Sequence, residues 1–388
     1  MTLPRLPMNS SNSGVDLDLG NHCSRTAFGW AQKTFCNRDG QDGEIRPMGS
    51  AFCQVLRMGK LGIGISSDGI GTKAEIAERM GQYDTLGYDL VAMVADDLAA
   101  NGVEPTSLSN ILDVDRLDAS VVDALMKGLH FAAKIARITV TGGEIAELGS
   151  RIGGYGDGMH FNWCATGIGV LPGGREPVTG EGVNPGDSVI ALRGHGLRSN
   201  GFSLARSILS RLFGDNWHNV EYSPCTNSKP ESNAPDAGTF PAQKPTWGNL
   251  LLTPSTIFTP LVIDLLAAEL PVTGIAHVTG GGIPDNLGRV LKLRKLGADL
   301  DNVFPPPNFL KDLQRLGEVS EEKIYRAWNM GNPLLLVVRR ESAAEVLEKI
   351  LEEGFEARLA GTVISEPHIR IRSQGAFSNM LTYEKTAK

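Results

Sequence analysis

Apolar positions along this chain follow two rhythms, and the changes of rhythm mark its elements. Residues 61–66 (LGIGIS) alternate as a strand does. Residues 74–80 read as a short helix stopped by Gly81, and residues 84–100 as a longer helix ended by Asn101-Gly102. Val121, Val122, Leu125, Leu129, Ala132 and Ala136 recur at helical spacing and predict a helix over residues 117–137. Residues 138–141 and 162–171 read as strands. Residues 1–60 are polar and loop-rich, with a flexible stretch at 37–43.

A Pro/Gly stretch at 172–174, followed by a loop to Gly186, divides the chain into domains 1–172 and 173–388. The second half repeats the texture: strands at 188–192, 334–338 and about 360–364, and helices at 202–212, 260–269, 284–293 and 343–353. Residues 214–248 form a long polar, proline-bearing insertion without periodicity, either a lid or a disordered excursion. Mixed α/β structure in both halves is the expected fold class.

Charge and composition exclude several functions. With 37 Lys+Arg against 44 Asp+Glu the net charge is −7, a poor basis for tight nucleic-acid binding. No apolar run approaches the ~18 residues that a membrane helix needs, and the N-terminal segment has no apolar core after its arginine, so neither a spanning helix nor a signal peptide is expected. Cytoplasmic localisation is the expectation. Cys23, Cys36, Cys53, Cys164 and Cys225 are widely spaced with no C-x-x-C, which predicts reduced thiols. The 46 glycines among 388 residues exceed the average of about 7% and cluster beside acids and asparagines. That clustering points to backbone approaching a phosphate-bearing ligand.

The helix at 84–100 carries an apolar stripe of Leu86, Leu90, Met93, Val94 and Leu98, with Asp97 in its middle and Asp89 and Asp96 on its flank. A carboxylate on such a stripe needs a cation or hydrogen-bond donors, or else it caps a neighbouring turn. Ser67-Asp68-Gly69-Ile70-Gly71-Thr72-Lys73 follows a strand and opens a helix; it reads as an anion cradle or as a tight turn with a solvated lysine. Glu144 follows Thr141-Gly142-Gly143. If Asp68, Asp97 and Glu144 converge, their hard oxygens suit Mg²⁺ carrying ATP phosphates. In the second half, His277-Val278-Thr279-Gly280-Gly281-Gly282 precedes a helix with Pro284 in its first turn, a phosphate cradle or a plain connection. Arg198-Ser199-Asn200-Gly201 offers a guanidinium for a substrate phosphate. His195 reads as a surface-loop histidine, and Asn329 and Asn332 flank a turn at Gly331.

In these residues the chain resembles the aminoimidazole ribonucleotide synthetases, the phosphoribosylformylglycinamidine cyclo-ligases. The matching pieces are SGVDLDLGN from Ser13, SDGIGTK from Ser67, DTLGYDLVAM from Asp84, DDLAANGVEP from Asp96, TGGEIAE from Thr141, SNGFSL from Ser199, LLTPSTIF from Leu251 and AHVTGGG from Ala276. The resemblance implies a two-domain α/β (α+β) synthetase. Its N-terminal domain would hold ATP and Mg²⁺ on a mixed sheet that forms a β-barrel in a homodimer, and its C-terminal domain would be an α/β sandwich. The active site would lie between them and take a phosphoribosyl substrate. The resemblance further implies catalytic roles for Asp68, Lys73, Asp97, Glu144 and His277, with Asp68, Asp97 and Glu144 on the metal. Gly69, Gly71, Thr72, Lys73, Gly142, Gly143, Ser199, Asn200, Gly201, Gly280, Gly281 and Gly282 would line the ligands.

The chain departs from that family at Pro47–Phe52, where a stretch ending G-G-F-G is usual, at Leu197-Arg198, where Pro-His is usual, at Leu148–Ile152, and in the 214–248 insertion. These loops leave room for a paralogous ATP-dependent enzyme or a non-catalytic nucleotide-binding protein. A selenophosphate synthetase would carry a reactive cysteine beside a glycine-rich lysine segment, and a hydrogenase-maturation dehydratase would end in cysteine. Neither pattern is present here.

Overall fold

The computed structural model describes residues 17–46, 48, 51–171, 175–225 and 244–384. A largely exposed helix, α1 (Leu17–Gln32), precedes strands β1 (Glu44–Ile45), β2 (Gln54–Met58) and β3 (Leu61–Gly69), which form an antiparallel meander. Then come α2 (Lys73–Met80), α3 (Leu86–Ala100), β4 (Glu104–Val114), α4 (Ala119–Ala136), β5 (Thr139–Glu147) and β6 (Phe161–Leu171). The sheet order is β1-β2-β3-β6-β4-β5, and only β4 and β5, joined through α4, run parallel. Asp118 caps α4 by accepting from the Ser120 and Val121 N–H groups. α3 and α4 cover one face of the sheet, where Leu108, Leu112 and Trp163 are buried. On the other face Ile111 is 51% exposed and Ile168 42%.

The helices cross where both have glycine. A Cβ on Gly87 would stand 2.2 Å from the Gly128 carbonyl carbon, and one on Gly128 would stand 2.0 Å from the Asp84 oxygen. That close approach draws α3 fully inside, with thirteen of its fifteen residues buried.

The second sheet contains β7 (Ser188–Leu192), β8 (Val272–His277), β9 (Gly297–Leu300), β10 (Leu334–Val338), β11 (Ala357–Ile364), β12 (His368–Arg372) and β13 (Met380–Glu384). Its order is β13-β12-β9-β11-β7-β10-β8, and only β9 and β12 pair in parallel. Helices α5 (Phe202–Phe213), α6 (Trp247–Leu251), α7 (Thr259–Ala267), α8 (Gly282–Leu291), α9 (Asn308–Gly317), α10 (Glu321–Ala327) and α11 (Ala343–Glu352) accompany it. Every residue of β10 (LLLVV) is buried. Leu334, Leu336 and Val338 pack with α7 and α11, while Leu335 and Val337 join the cluster of α8, α9 and α10. Burial on both faces explains an uninterrupted apolar run where a one-sided strand would alternate.

Three local expectations are corrected. The first sixty residues contain α1 and β2, and β4 lies between two expected helices, where the sequence predicts no element. The strand expected at 138–141 runs on to Glu147, through Gly142-Gly143, because pairing with β4 carries the backbone past them. The ends of the 214–248 insertion are core: Trp217, Tyr222 and Trp247 are buried, with the Tyr222 and Trp247 rings 4.9 Å apart. The remainder, 226–243, lies outside the described residues, as do Pro172–Gly174. All five cysteines are free thiols, as expected. Among the described residues no helix is long and apolar enough to cross a membrane.

Candidate active site between the two sheets

α3 presents three carboxylates, Asp89, Asp96 and Asp97, to the second sheet's domain. Asp89, fully buried, takes Lys73 Nζ at 2.7 Å and the Ser255 N–H and hydroxyl. Asp96 accepts from the Phe258 N–H at 3.0 Å, Thr259 Oγ1 at 2.8 Å and Arg198 Nη2 at 2.7 Å. Asp97 Oδ1 meets His277 Nδ1 at 2.7 Å, and Ser66 Oγ donates to its Oδ2 at 3.4 Å. Asp97 keeps 17% of its side chain exposed, while His277 has none. The stripe reading of α3 is therefore corrected. The helix is buried all round, and the fully enclosed acids are the flanking Asp89 and Asp96.

Electrostatics follow from that enclosure. Burial pushes the Asp97 carboxyl up to about 7, against the pull of the Arg289 charge and the Ser66 hydroxyl. Burial likewise pushes Asp68 up to about 6, opposed by the Gly69 N–H that Asp68 accepts and assisted by the Asp97 charge. His277 is driven down to about 3 by burial and by Arg198, so it is neutral, and its Nε2 has no protein partner. Cys53 is raised to about 12 by burial and the Asp97 charge, a packed thiol rather than a nucleophile.

The glycine segments come together from both domains. A Cβ on Gly71, which has φ 56°, would lie 3.4 Å from the Ser199 carbonyl. A Cβ on Gly280 would lie 3.4 Å from Asn200 Oδ1, and Thr72 Oγ1 stands 3.5 Å from Ser203 Oγ. Three helix N-termini open here without a side-chain cap: α2 after Thr72, α5 after Gly201 and α8 after Gly281. Gly201 and Gly281 hold φ 82° and 90°, and a Cβ on Gly282 would strike the Tyr325 carbonyl. Ser199 Oγ and Asn200 Nδ2 are buried without partners. Unsatisfied N–H groups and orphaned polar atoms in one place form a site for an anion.

Three expected roles change. Lys73 is fully buried and donates to Asp89 and to the Thr253 carbonyl at 2.6 Å, so its ammonium is withdrawn from the cleft. The Arg198 guanidinium is equally occupied, by Asp96. Glu144 does not join Asp68 and Asp97. The register pairs Asp68 with Ala165, Ala165 with Asn110 and Asn110 with Gly143, which sets Glu144 beside Ile111 on the opposite face. Three strand spacings, roughly 14 Å, also separate the two strands. Among the described residues no three His, Cys, Asp or Glu side chains form a metal cage. Gly142 and Gly143 serve the β4–β5 pairing, where a Cβ on Gly143 would stand 2.0 Å from the Asn110 oxygen.

A cavity of about 380 Å³ beside the β3–β6–β4 pairing is lined by Ser67, Asp68, Gly69, Ile111, Cys164, Ala165 and Thr166. Asp68 therefore borders both this cavity and, through Asp97, the domain interface. The sequence reading left Ser66, Ser255, Thr259 and Arg289 without roles. The signal for Ser255 and Thr259 was the Leu251–Phe258 motif and its continuation, whose hydroxyls meet α3.

Comparison with known proteins identifies the family. Residues 51–170 match the family described as AIR synthase related protein, N-terminal domain, and residues 237–374 match its C-terminal domain. The phosphoribosylformylglycinamidine cyclo-ligase of Methanothermobacter thermautotrophicus is 34% identical over 87% of this chain and 89% of its own length. That of Thermococcus kodakarensis is 32% identical over 94% and 98%. The human trifunctional purine biosynthetic protein adenosine-3 is 32% identical over 96% of this chain and 36% of its own. Solved structures share the fold at low identity. A HypE–HypF complex has TM-score 0.58 at 16% identity, covering 91% of this chain and 98% of the other. AaThiL complexed with AMPPCP and TMP has TM-score 0.54 at 14%, covering 87% and 92%. With both domain matches in order and relatives of this identity along nearly its whole length, the chain belongs to the AIR synthase family.

Proposed function

We infer that this chain is a phosphoribosylformylglycinamidine cyclo-ligase, an ATP-dependent ligase of purine biosynthesis. It closes the imidazole ring of formylglycinamidine ribonucleotide to give aminoimidazole ribonucleotide, ADP and phosphate. The observation that carries this reading is the meeting of Ile70–Lys73, Ser199–Gly201 and Thr279–Gly282 beside Asp68 and Asp97. ATP phosphorylates the amide oxygen, an amidine nitrogen attacks the activated carbon, and phosphate leaves. Such a reaction asks a protein for orientation and charge neutralisation rather than for a nucleophile.

Each part of the site has a task in that scheme. Ser199, Asn200 and the open N-termini of α5 and α8 hold the substrate phosphate. Neutral His277, itself sealed, orients Asp97 through Nδ1. Asp68 and Asp97 offer hard oxygens in a partly open setting, which fits Mg²⁺ bound through one or two carboxylates and nucleotide phosphates. When bound, Mg²⁺ neutralises phosphate charge. Glu144 lies across the β4–β5 pairing from Ile111, a residue of the cavity wall, and is left without a part in holding the ion. The exposed Ile111 and Ile168 face is the part of the N-terminal sheet that a second copy would cover, giving a homodimer, and the enzyme would act in the cytoplasm.

The test is the purified protein with ATP, Mg²⁺ and formylglycinamidine ribonucleotide. Aminoimidazole ribonucleotide should accumulate above a heat-killed control; its absence, with ATP still bound, would leave a nucleotide-binding paralogue.

A further inference from the structure

Arg198 stands between β7 and α5 with left-handed backbone, φ 60°, and a side chain 3% exposed. Its Nη2 donates to Asp96 Oδ2 at 2.7 Å and to the Ala92 carbonyl at 3.2 Å, both on α3. Its Nη1 donates to the Thr256 carbonyl at 3.1 Å. One guanidinium thereby ties its own loop to α3 in the first domain and to the 251–258 segment in the second. The same Asp96 receives the Phe258 N–H and the Thr259 hydroxyl through its other oxygen, so the junction is closed on both sides. Left-handed backbone is uncommon for a residue with a Cβ. Here the fork of hydrogen bonds holds it, and a lysine, with a point charge, does not reach acceptors on both sides. Directly after Arg198 come Ser199 and Asn200, whose Oγ and Nδ2 are buried and unpartnered, and then the uncapped start of α5.

We propose that Arg198 is a positioning residue for the phosphate of the substrate: anchored on Asp96, it sets the height of the Ser199–Gly201 loop over α3, so that Ser199 Oγ, Asn200 Nδ2 and the α5 N-terminus converge on that phosphate. The inference rests on the cyclo-ligase reading for the identity of the substrate, but not for the presence of a phosphate. It assigns the guanidinium an indirect role, since Asp96 occupies the fork that would otherwise meet the ligand.

The test compares the parent with Arg198→Lys, which keeps a cation opposite Asp96 and so keeps the fold. Each substrate is varied in turn, and ribose 5-phosphate serves as a competitive probe. The expected result is a KM for formylglycinamidine ribonucleotide raised about tenfold or more, with the ribose 5-phosphate inhibition constant raised by the same factor. The KM for ATP should move by less than about threefold, because a loop displacement is felt only by the group the loop holds. If Arg198→Lys does not fold, the neutral pair Asp96→Asn/Arg198→Met is measured in the same way, with the same expectation. Unchanged substrate KM and ribose 5-phosphate inhibition in a folded variant would overturn the proposal. So would an equal rise for both substrates, the mark of a general loss of structure. A parent that forms no aminoimidazole ribonucleotide but binds ribose 5-phosphate would defeat the cyclo-ligase reading alone, and direct binding of ribose 5-phosphate to parent and variant would then decide the role of Arg198.

Discussion

Asp97 on α3 and His277 at the end of β8 meet at 2.7 Å across the boundary between the two domains, one partly open to the cleft and the other sealed. The pair leaves Asp97 Oδ2 with one long bond from Ser66 and therefore available to a cation. Asp97→Asn should weaken Mg²⁺-dependent ATP binding by about 10–100-fold without unfolding the protein. Calorimetric titration at fixed Mg²⁺ checks this, and equal affinity in mutant and parent would make Asp97 purely structural.

Acid stability separates the two partners. A carboxyl raised to about 7 favours the protonated native state, so Asp97 contributes stability below its ordinary pKa, about 4, that is lost as pH rises to 7. A histidine lowered to about 3 favours the neutral native state, so His277 contributes stability above its ordinary value, about 6.5, that is lost as pH falls. The slopes oppose each other between these limits. Asp97→Asn removes the first, so chelator-treated mutant should lose more stability from pH 7 to pH 5 than the parent. Urea midpoints at the two pH values measure this; parallel losses would contradict the assignment.

How much of this was legible beforehand depended on what each residue needs around it. The glycine turns that open α5 and α8 were readable because Gly201 and Gly281 announce left-handed backbone at helix starts, which is local chemistry. Asp97 was readable as an acid among aliphatics. The fate of Lys73 was not, because its partner Asp89 is sixteen residues on and its enclosure depends on Thr253 and Ser255 arriving from the other domain. Glu144 was misplaced for a related reason: its face is set by register across four strands, and no spacing within one strand encodes that.

Lys73 offers a stability prediction of its own. Burial lowers its pKa while the Asp89 charge raises it, and removing either partner strands the other in the interior. Lys73→Met should cost roughly 3–5 kcal/mol in denaturant unfolding, and adding Asp89→Asn should restore part of that loss. A folded Lys73→Met of parental stability that no longer binds ATP would instead assign the lysine to the nucleotide.

The uncovered sheet face makes a prediction about assembly. Ile168, 42% exposed and central on that face, belongs to a patch too apolar to suit water. Ile168→Asp should sediment as a monomer under conditions in which the parent sediments as a dimer, with an unchanged circular dichroism spectrum. Identical sedimentation of the two proteins would contradict assembly through this face.

The ring closure itself is tested most directly by following one oxygen atom. Formylglycinamidine ribonucleotide carrying heavy oxygen at its amide is incubated with the protein, ATP and Mg²⁺, and the released phosphate is weighed by mass spectrometry. Each phosphate should carry one heavy oxygen, with aminoimidazole ribonucleotide and ADP formed in equal amounts; phosphate without the label, or ADP without the imidazole, would contradict ring closure through a phosphorylated amide.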